Sequence, residues 1–279
     1  MILDGKIVAN EIKQRLKEEI EASDKRPPHL VIITVGDDPA SKTYVKNKIK
    51  VCEEIGIVTR HYCFAADDEP QAVIDLIDML NYADRIDGIM VQLPLPLGWD
   101  EREIIDSISP EKDVDGLTTT NIGKLRSGQP CFHPCTAQGV IDLLDYYNIE
   151  LDGKDVTIIG RSNIVGKPLA DLMMVRGATV IQCHSHTRLL NYHTGGADIV
   201  VSAVGKPNFI GLKHIDLGNR ATWIDVGINR TEEGKLCGDI NFNAVEPFCE
   251  NITPVPGGVG PMTVAELMKN TIIAWRKNI

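Results

Sequence analysis

The sequence predicts an α/β protein of two α/β domains around a cleft, and three observations predict it. Segments with helical and with strand periodicity alternate through residues 7–91. A stretch rich in Ser, Pro, Asp, Thr and Gly interrupts them at 107–135. From 155 the alternation restarts with closely spaced strands, as βαβαβ. The expected division is 1–118 plus 262–279 for one domain and 119–261 for the other. A chain of 279 residues suits two such domains, and 43% hydrophobic with 24% charged residues is enough to build their cores.

Ile7, Val8, Ile12, Leu16 and Ile20 recur at helical spacing and predict an amphipathic helix over 7–22. Residues 29–35 form a β-branched run between Pro27-Pro28 and Gly36, which reads as a buried strand. A helix over 39–55 follows, with Gly56 as its C-cap. Strands at 58–64 and 87–91 flank a helix at 70–82. The prolines of Gln92-Leu93-Pro94-Leu95-Pro96 then stop the last strand and stiffen a loop at its carboxyl end, the edge where open α/β sheets bind ligands. Residues 107–135 read as loop and linker, and 136–147 as a helix. Strands are expected at 156–159, 178–182, 198–202 and 222–226. A Pro/Gly-rich loop at 254–261 leads into a last helix at 263–277, expected to return to the first domain.

Composition excludes several classes. A net charge of −10 opposes nucleic-acid binding, and the one dense basic run is Lys42, Lys46, Lys48 and Lys50. Seven scattered cysteines suggest a reducing compartment rather than a disulfide framework. Neither Cys131-x-His133-x-Cys135 nor the 183–186 cluster has a second ligand pair at zinc-site spacing, so no metal is expected. No segment reads as a secretory signal or a membrane span, and a cytoplasmic location is the expectation.

Gly160-Arg161-Ser162-Asn163-Ile164-Val165-Gly166 joins a strand to a helix. There a missing Cβ lets backbone approach a pyrophosphate, and the helix N-terminus favours it. Ser162 stands where a second glycine would be, so alone the turn is also compatible with an ordinary βα connection. The βαβαβ context favours a Rossmann-like dinucleotide site. The next strand ends Cys183-His184-Ser185-His186, with no carboxylate to hold a ribose 2′-hydroxyl. Ser185 can donate to a 2′-phosphate, and Arg161 and Arg188 are either its counter-charges or solvated surface. NADP is therefore the expected cofactor.

Tyr44 and Lys48, four apart on one helix, are on spacing alone either a surface pair or a functional one. The segments around them decide for function. Residues 35–48 (VGDDPASKTYVKNK), 91–96 (VQLPLP), 112–116 (KDVDG), 225–229 (DVGIN) and 254–263 (PVPGGVGPMT) closely resemble the bifunctional methylenetetrahydrofolate dehydrogenase/cyclohydrolase family, in order and over almost the whole chain. The resemblance implies oxidation of 5,10-methylenetetrahydrofolate to the methenyl form with NADP, then hydrolysis to 10-formyltetrahydrofolate. It implies Lys48 as the main catalytic group, Tyr44 against the folate rings, Gln92 on the lysine and Asp115 on the pterin. Pro256, Gly257 and Gly258 would border the substrate, and Gly160, Arg161, Ser162, Ser185 and Ile228 the cofactor. It also implies a homodimer through the cofactor domain. In such a site like charge from a cationic substrate would free the Lys48 amine to act as a base. Asp113 is open to a ligand or a loop role.

Two other readings are weaker. A short-chain dehydrogenase also uses Tyr-x-x-x-Lys with NADP, but its glycine-rich turn precedes the tyrosine, whereas here Tyr44 precedes Gly160. A non-catalytic NADP sensor would need neither Tyr44 and Lys48 nor the Gln92 loop.

Overall fold

Apolar β-branched runs form parallel strands, as their composition predicts. The structure, a computed structural model, describes residues 1–277. They form two compact units, one of Met1–Asn10 with Pro134–Thr263, the other of Glu11–His133 with the chain from Val264 onward. They are called here the Gly160 unit and the Lys48 unit.

Helix α1 (Gly5–Glu21) opens the chain. In the Lys48 unit β1 (His29–Val35), α2 (Pro39–Ile55), β2 (Val58–Phe64), α3 (Pro70–Asn81) and β3 (Gly88–Val91) alternate as expected. The sheet order is β2-β1-β3, all parallel, with Leu30 opposite both Thr59 and Gly88. Val31, Ile33, Val73, Ile77 and Ile89 bury the face between sheet and helix.

The segment read as loop and linker at 107–135 is not all irregular. It holds helix α5 (Thr119–Arg126), following α4 (Glu101–Asp106). Local capping explains both: Asp100 accepts from Arg102 N and Glu103 N, and Thr118 Oγ1 accepts from Asn121 N. Helix α5 buries only Asn121 and Leu125, too few positions for periodicity to reveal.

In the Gly160 unit α6 (Cys135–Tyr146) precedes β4 (Asp155–Ile159), α7 (Gly166–Val175), β5 (Thr179–Cys183), α8 (Leu190–Gly195), β6 (Ile199–Ser202) and β7 (Thr222–Asp225). A short antiparallel hairpin, β8 (Asn229–Arg230) with β9 (Leu236–Cys237), is followed by α9 (Phe242–Val245) and β10 (Asn251–Ile252). The parallel sheet runs β10-β7-β6-β4-β5, and its core includes Ile159, Val200, Trp223 and Ile240. Helix α10 (Val259–Lys277) starts earlier than the expected 263. Gly260 and Pro261 lie in its first turn, where proline's missing N–H has no helical acceptor to lose.

Candidate active site

Helix α2 owes its start to Pro39 and to Asp38, whose carboxylate accepts from Ser41 N at 2.7 Å. It ends at Gly56, where φ is +91°. Between these caps Val45, Lys48, Cys52 and Ile55 fall on one buried face. Lys48 thus occupies a core position, 8% exposed, while Lys42, Lys46 and Lys50 face outward. The basic run is three surface lysines and one interior one.

Lys48 Nζ donates to Gln92 Oε1 at 3.0 Å and lies 3.6 Å from Met90 Sδ. Gln92 N continues the β3 ladder to Ile33 O, and its side-chain Nε2 donates to Leu93 O at 2.7 Å. That second bond turns the amide oxygen toward the lysine. Cys52, one turn on, is pushed up to about 12 by burial, so its thiol is neutral near pH 7. Among the described residues no carboxylate pairs with Lys48 within 4.0 Å. A buried amine held by neutral groups, with no counter-anion among the described residues, is expensive as structure.

Tyr44 lies one turn before Lys48 and is 36% exposed. Asp115 is half-buried in a turn closed by Gly116 N to Asp113 O at 3.0 Å, just past the parallel bridge of Asp113 to Ile89. The structure settles the open role of Asp113. Its oxygens accept from Leu117 N, Thr118 N and Asn121 Nδ2 at 3.1, 2.8 and 2.8 Å. Asp113 shapes the loop, and Asp115 is the carboxylate that loop presents.

In the Gly160 unit the turn after β4 is tight. A Cβ on Gly160, at φ +132°, would lie 2.4 Å from Ala203 O, and one on Gly166 2.3 Å from Gly160 O. Ser162 Oγ accepts from Val165 N and Gly166 N at 3.1 and 3.3 Å, so it caps α7 and retains its own O–H to donate. Arg161 and Ser185 are exposed, and Ile228 is 43% exposed. Gly160 N donates to Cys183 O at 2.9 Å, which ties the turn to the end of β5 two residues before Ser185. Pro256 is exposed beside buried Gly257 and Gly258. Gly5 N donates to Gly257 O at 2.9 Å, and a Cβ on Gly5 would lie 1.9 Å from Gly258 O, so the N-terminal segment pins this loop.

Sequence reasoning missed two buried carboxylates at the carboxyl end of this sheet. Asp225 accepts from Gly227 N, Asp239 N and Ile240 N at 2.8–2.9 Å. Asp239 accepts from Ser202 Oγ, Val204 N, Gly205 N, Lys206 N and Asn229 Nδ2. Together they fix the loops after β6 and β7, the second of which carries Ile228. The signal available was Gly227 and Gly238: a Cβ on either would lie within 2.2 Å of one of these carboxylates. Among the described residues no group of three or more His, Cys, Asp or Glu side chains gathers as for a metal ion, and no helix is long and apolar enough to cross a membrane.

Residues 3–115 match the catalytic-domain model of tetrahydrofolate dehydrogenase/cyclohydrolase, and residues 134–279 match its NAD(P)-binding-domain model. The bifunctional protein FolD of Halothermothrix orenii is 50% identical over 277 residues, 98% of this chain and 97% of that protein. The crystal structure of the bifunctional FolD enzyme of Campylobacter jejuni superposes with a TM-score of 0.97 at 43% identity, covering 100% of this chain and 99% of that one. The Trypanosoma brucei enzyme, solved with NADP cofactor and inhibitor, gives 0.93 at 36% identity, over 99% and 97% of the two chains.

Proposed function

The chain belongs to the tetrahydrofolate dehydrogenase/cyclohydrolase family, and from that premise we infer that it oxidises 5,10-methylenetetrahydrofolate to 5,10-methenyltetrahydrofolate with NADP and hydrolyses the product to 10-formyltetrahydrofolate. The observation that carries this reading is the buried Lys48 amine, 3.0 Å from Gln92 Oε1 and without a carboxylate partner among the described residues.

The cofactor fits the Gly160 turn, a tight βα connection in which a Cβ on Gly160 would strike Ala203 O, so that the N-terminus of α7 is free to offer its N–H groups to a pyrophosphate. Gly160, Arg161, Ser162, Ser185 and Ile228 would hold it, the Ser185 hydroxyl and Arg161 guanidinium meeting the 2′-phosphate. NADP, when bound, takes up the hydride that the bridging carbon of the folate gives up. The chain's own residues act on the folate. Asp115 accepts from the N–H groups of the pterin edge, Tyr44 packs against the rings, and Pro256, Gly257 and Gly258 border the substrate. Lys48 acts in the hydrolysis. The methenyl carbon is cationic and open to attack by water. Lys48 Nζ then takes a proton from water as the water oxygen bonds to that carbon. As the carbon–N5 bond breaks, the hydroxyl group of the adduct releases its proton to solvent to become the formyl oxygen, Lys48 returns its proton to N5, and the formyl group stays on N10. Gln92 fixes the direction of Nζ without adding charge. Members of this family that resemble the chain lead us to read it as a cytoplasmic homodimer joined through the Gly160 unit, in one-carbon metabolism and purine biosynthesis.

The test is absorbance at the NADPH wavelength on adding methylenetetrahydrofolate and NADP, followed by loss of methenyltetrahydrofolate in a separate assay without nucleotide. Reduction followed by hydrolysis is expected. Nucleotide binding without reduction would leave a sensor in place of an enzyme.

A further inference from the structure

The end of β5 carries more than the serine and arginine already assigned to the cofactor. Cys183 O receives the N–H of Gly160, and Gln182 Nε2 donates to Gly160 O at 3.1 Å, so residues 184–187 emerge directly beside the pyrophosphate turn. In dinucleotide folds this is where the adenine-side ribose is read. The turn is well built: His184 N donates to Thr187 Oγ1 at 2.8 Å, and Thr187 N to His184 O at 2.9 Å. His186 N donates to His184 Nδ1 at 3.1 Å, which orients the His184 ring and leaves its Nε2 to carry the hydrogen. The two rings meet edge to face, 5.9 Å between centroids.

His186 differs from its neighbours in having no such task. Its side chain is exposed, and among the described residues neither of its ring nitrogens has a hydrogen-bond partner. Residues 183–190 (CHSHTRLL) contain no acid, and among the described residues neither Arg161 nor Arg188 is in an ion pair. A rigid turn that carries Ser185 and an unengaged imidazole, next to exposed guanidinium groups and without a carboxylate, suits a dianionic monoester. It does not suit a ribose diol.

We propose that His186 is a further contact for the 2′-phosphate of the cofactor and shares with Ser185 and Arg161 the discrimination of NADP from NAD, with His184 as the positioning residue that fixes the turn. This rests on the cofactor reading above. Because His186 is exposed, its contribution is a screened one, smaller than that of a buried ion pair.

Two measurements on the full chain test it. The first is the ratio of dissociation constants for 5′-AMP and 2′,5′-ADP by calorimetry, which needs no folate chemistry. The second is the ratio of kcat/KM for NADP and NAD with methylenetetrahydrofolate. His186→Ala should lower both ratios about fivefold, His186→Glu about fiftyfold, and His186→Arg should restore them, with NAD kinetics within about twofold throughout. Circular dichroism should show all three folded. Unchanged ratios in the Ala and Glu variants would overturn the assignment while leaving the enzyme reading intact. Ratios that shift in a protein unable to oxidise the folate would sink the enzyme reading and keep His186 on the phosphate.

Discussion

The two units treat buried charge in opposite ways. In the Lys48 unit an interior amine meets one amide oxygen and a thioether sulfur, with no counter-ion among the described residues. In the Gly160 unit two interior carboxylates receive eight hydrogen bonds among the described residues, most of them from backbone N–H groups. A charge surrounded by donors of fixed position is committed to holding loops in place. The contrast separates groups that do chemistry from groups that hold geometry.

The largest effect belongs to Lys48→Met. Methionine fills similar volume without the amine, so hydrolysis of methenyltetrahydrofolate should fall about 10³-fold, the usual range for a lost general base. The unfolding midpoint should stay or rise, because a buried ammonium without a counter-ion contributes little to stability. Hydrolysis at the unmutated rate would remove Lys48 from the mechanism. A collapse in stability would move the lysine into the structural class with the carboxylates.

Asp239→Asn is the converse. An amide nitrogen would face N–H donors that now meet a carboxylate oxygen, costing about 2–3 kcal/mol. For a chain of this size that is roughly a 5–10 °C loss in Tm. NADP KM should rise with it, since the loops after β6 and β7 lose a shared anchor, while hydrolysis assayed without nucleotide should change little. Loss of hydrolysis alongside oxidation would mean that the two units do not divide the work as argued.

How far this contrast was legible in the sequence follows from which groups supply the partners. Strands β1 to β7 and the long helices were legible, because apolar and β-branched runs, Pro39 and Gly56 announce themselves locally, whereas the two-residue strands β8, β9 and β10 are too short to show a pattern. Helix α5 was not, since its start depends on Thr118 and on the Asp113 carboxylate rather than on an apolar stripe. Lys48 came from a motif, although its own spacing carried a hint: it takes an interior place in the stripe Val45, Cys52 and Ile55. Asp225 and Asp239 could not be recognised, because their partners are mainly backbone N–H groups, which have no letter in the sequence. Asp113 was left open because the partners that give it a loop role are the backbone N–H groups of Leu117 and Thr118, which no side-chain pattern marks.

Asp225 allows a smaller test by pH. Burial, with the nearby Asp239 charge adding to it, pushes its carboxyl up to about 7 from an ordinary 3.8, against the hydrogen bonds that favour the charged form. A carboxyl raised on folding favours the native state most below its unfolded pKa, and that contribution is lost as pH climbs through about 7. Urea midpoints at pH 6 and pH 8 should therefore fall further in the unmodified protein than in Asp225→Asn, whose amide does not titrate in that window. An identical fall in both would mean that Asp225 is ionised throughout.

Ser162→Ala is the smallest and the sharpest, because Ser162 stands on the line between the two classes. Its Oγ accepts two long hydrogen bonds from the start of α7, at 3.1 and 3.3 Å, which is a holding role worth about 1 kcal/mol. Its O–H hydrogen remains to donate to a phosphate oxygen, which is a binding role. The alanine variant should lose about 2–4 °C in Tm and about fivefold in NADP affinity, with kcat at saturating NADP little changed. Ser162→Thr keeps both the acceptor and the donor and should recover most of each loss. A drop in Tm with NADP affinity unchanged would make Ser162 a cap alone, and the phosphate contacts would then fall to Arg161, Ser185 and the backbone of the turn.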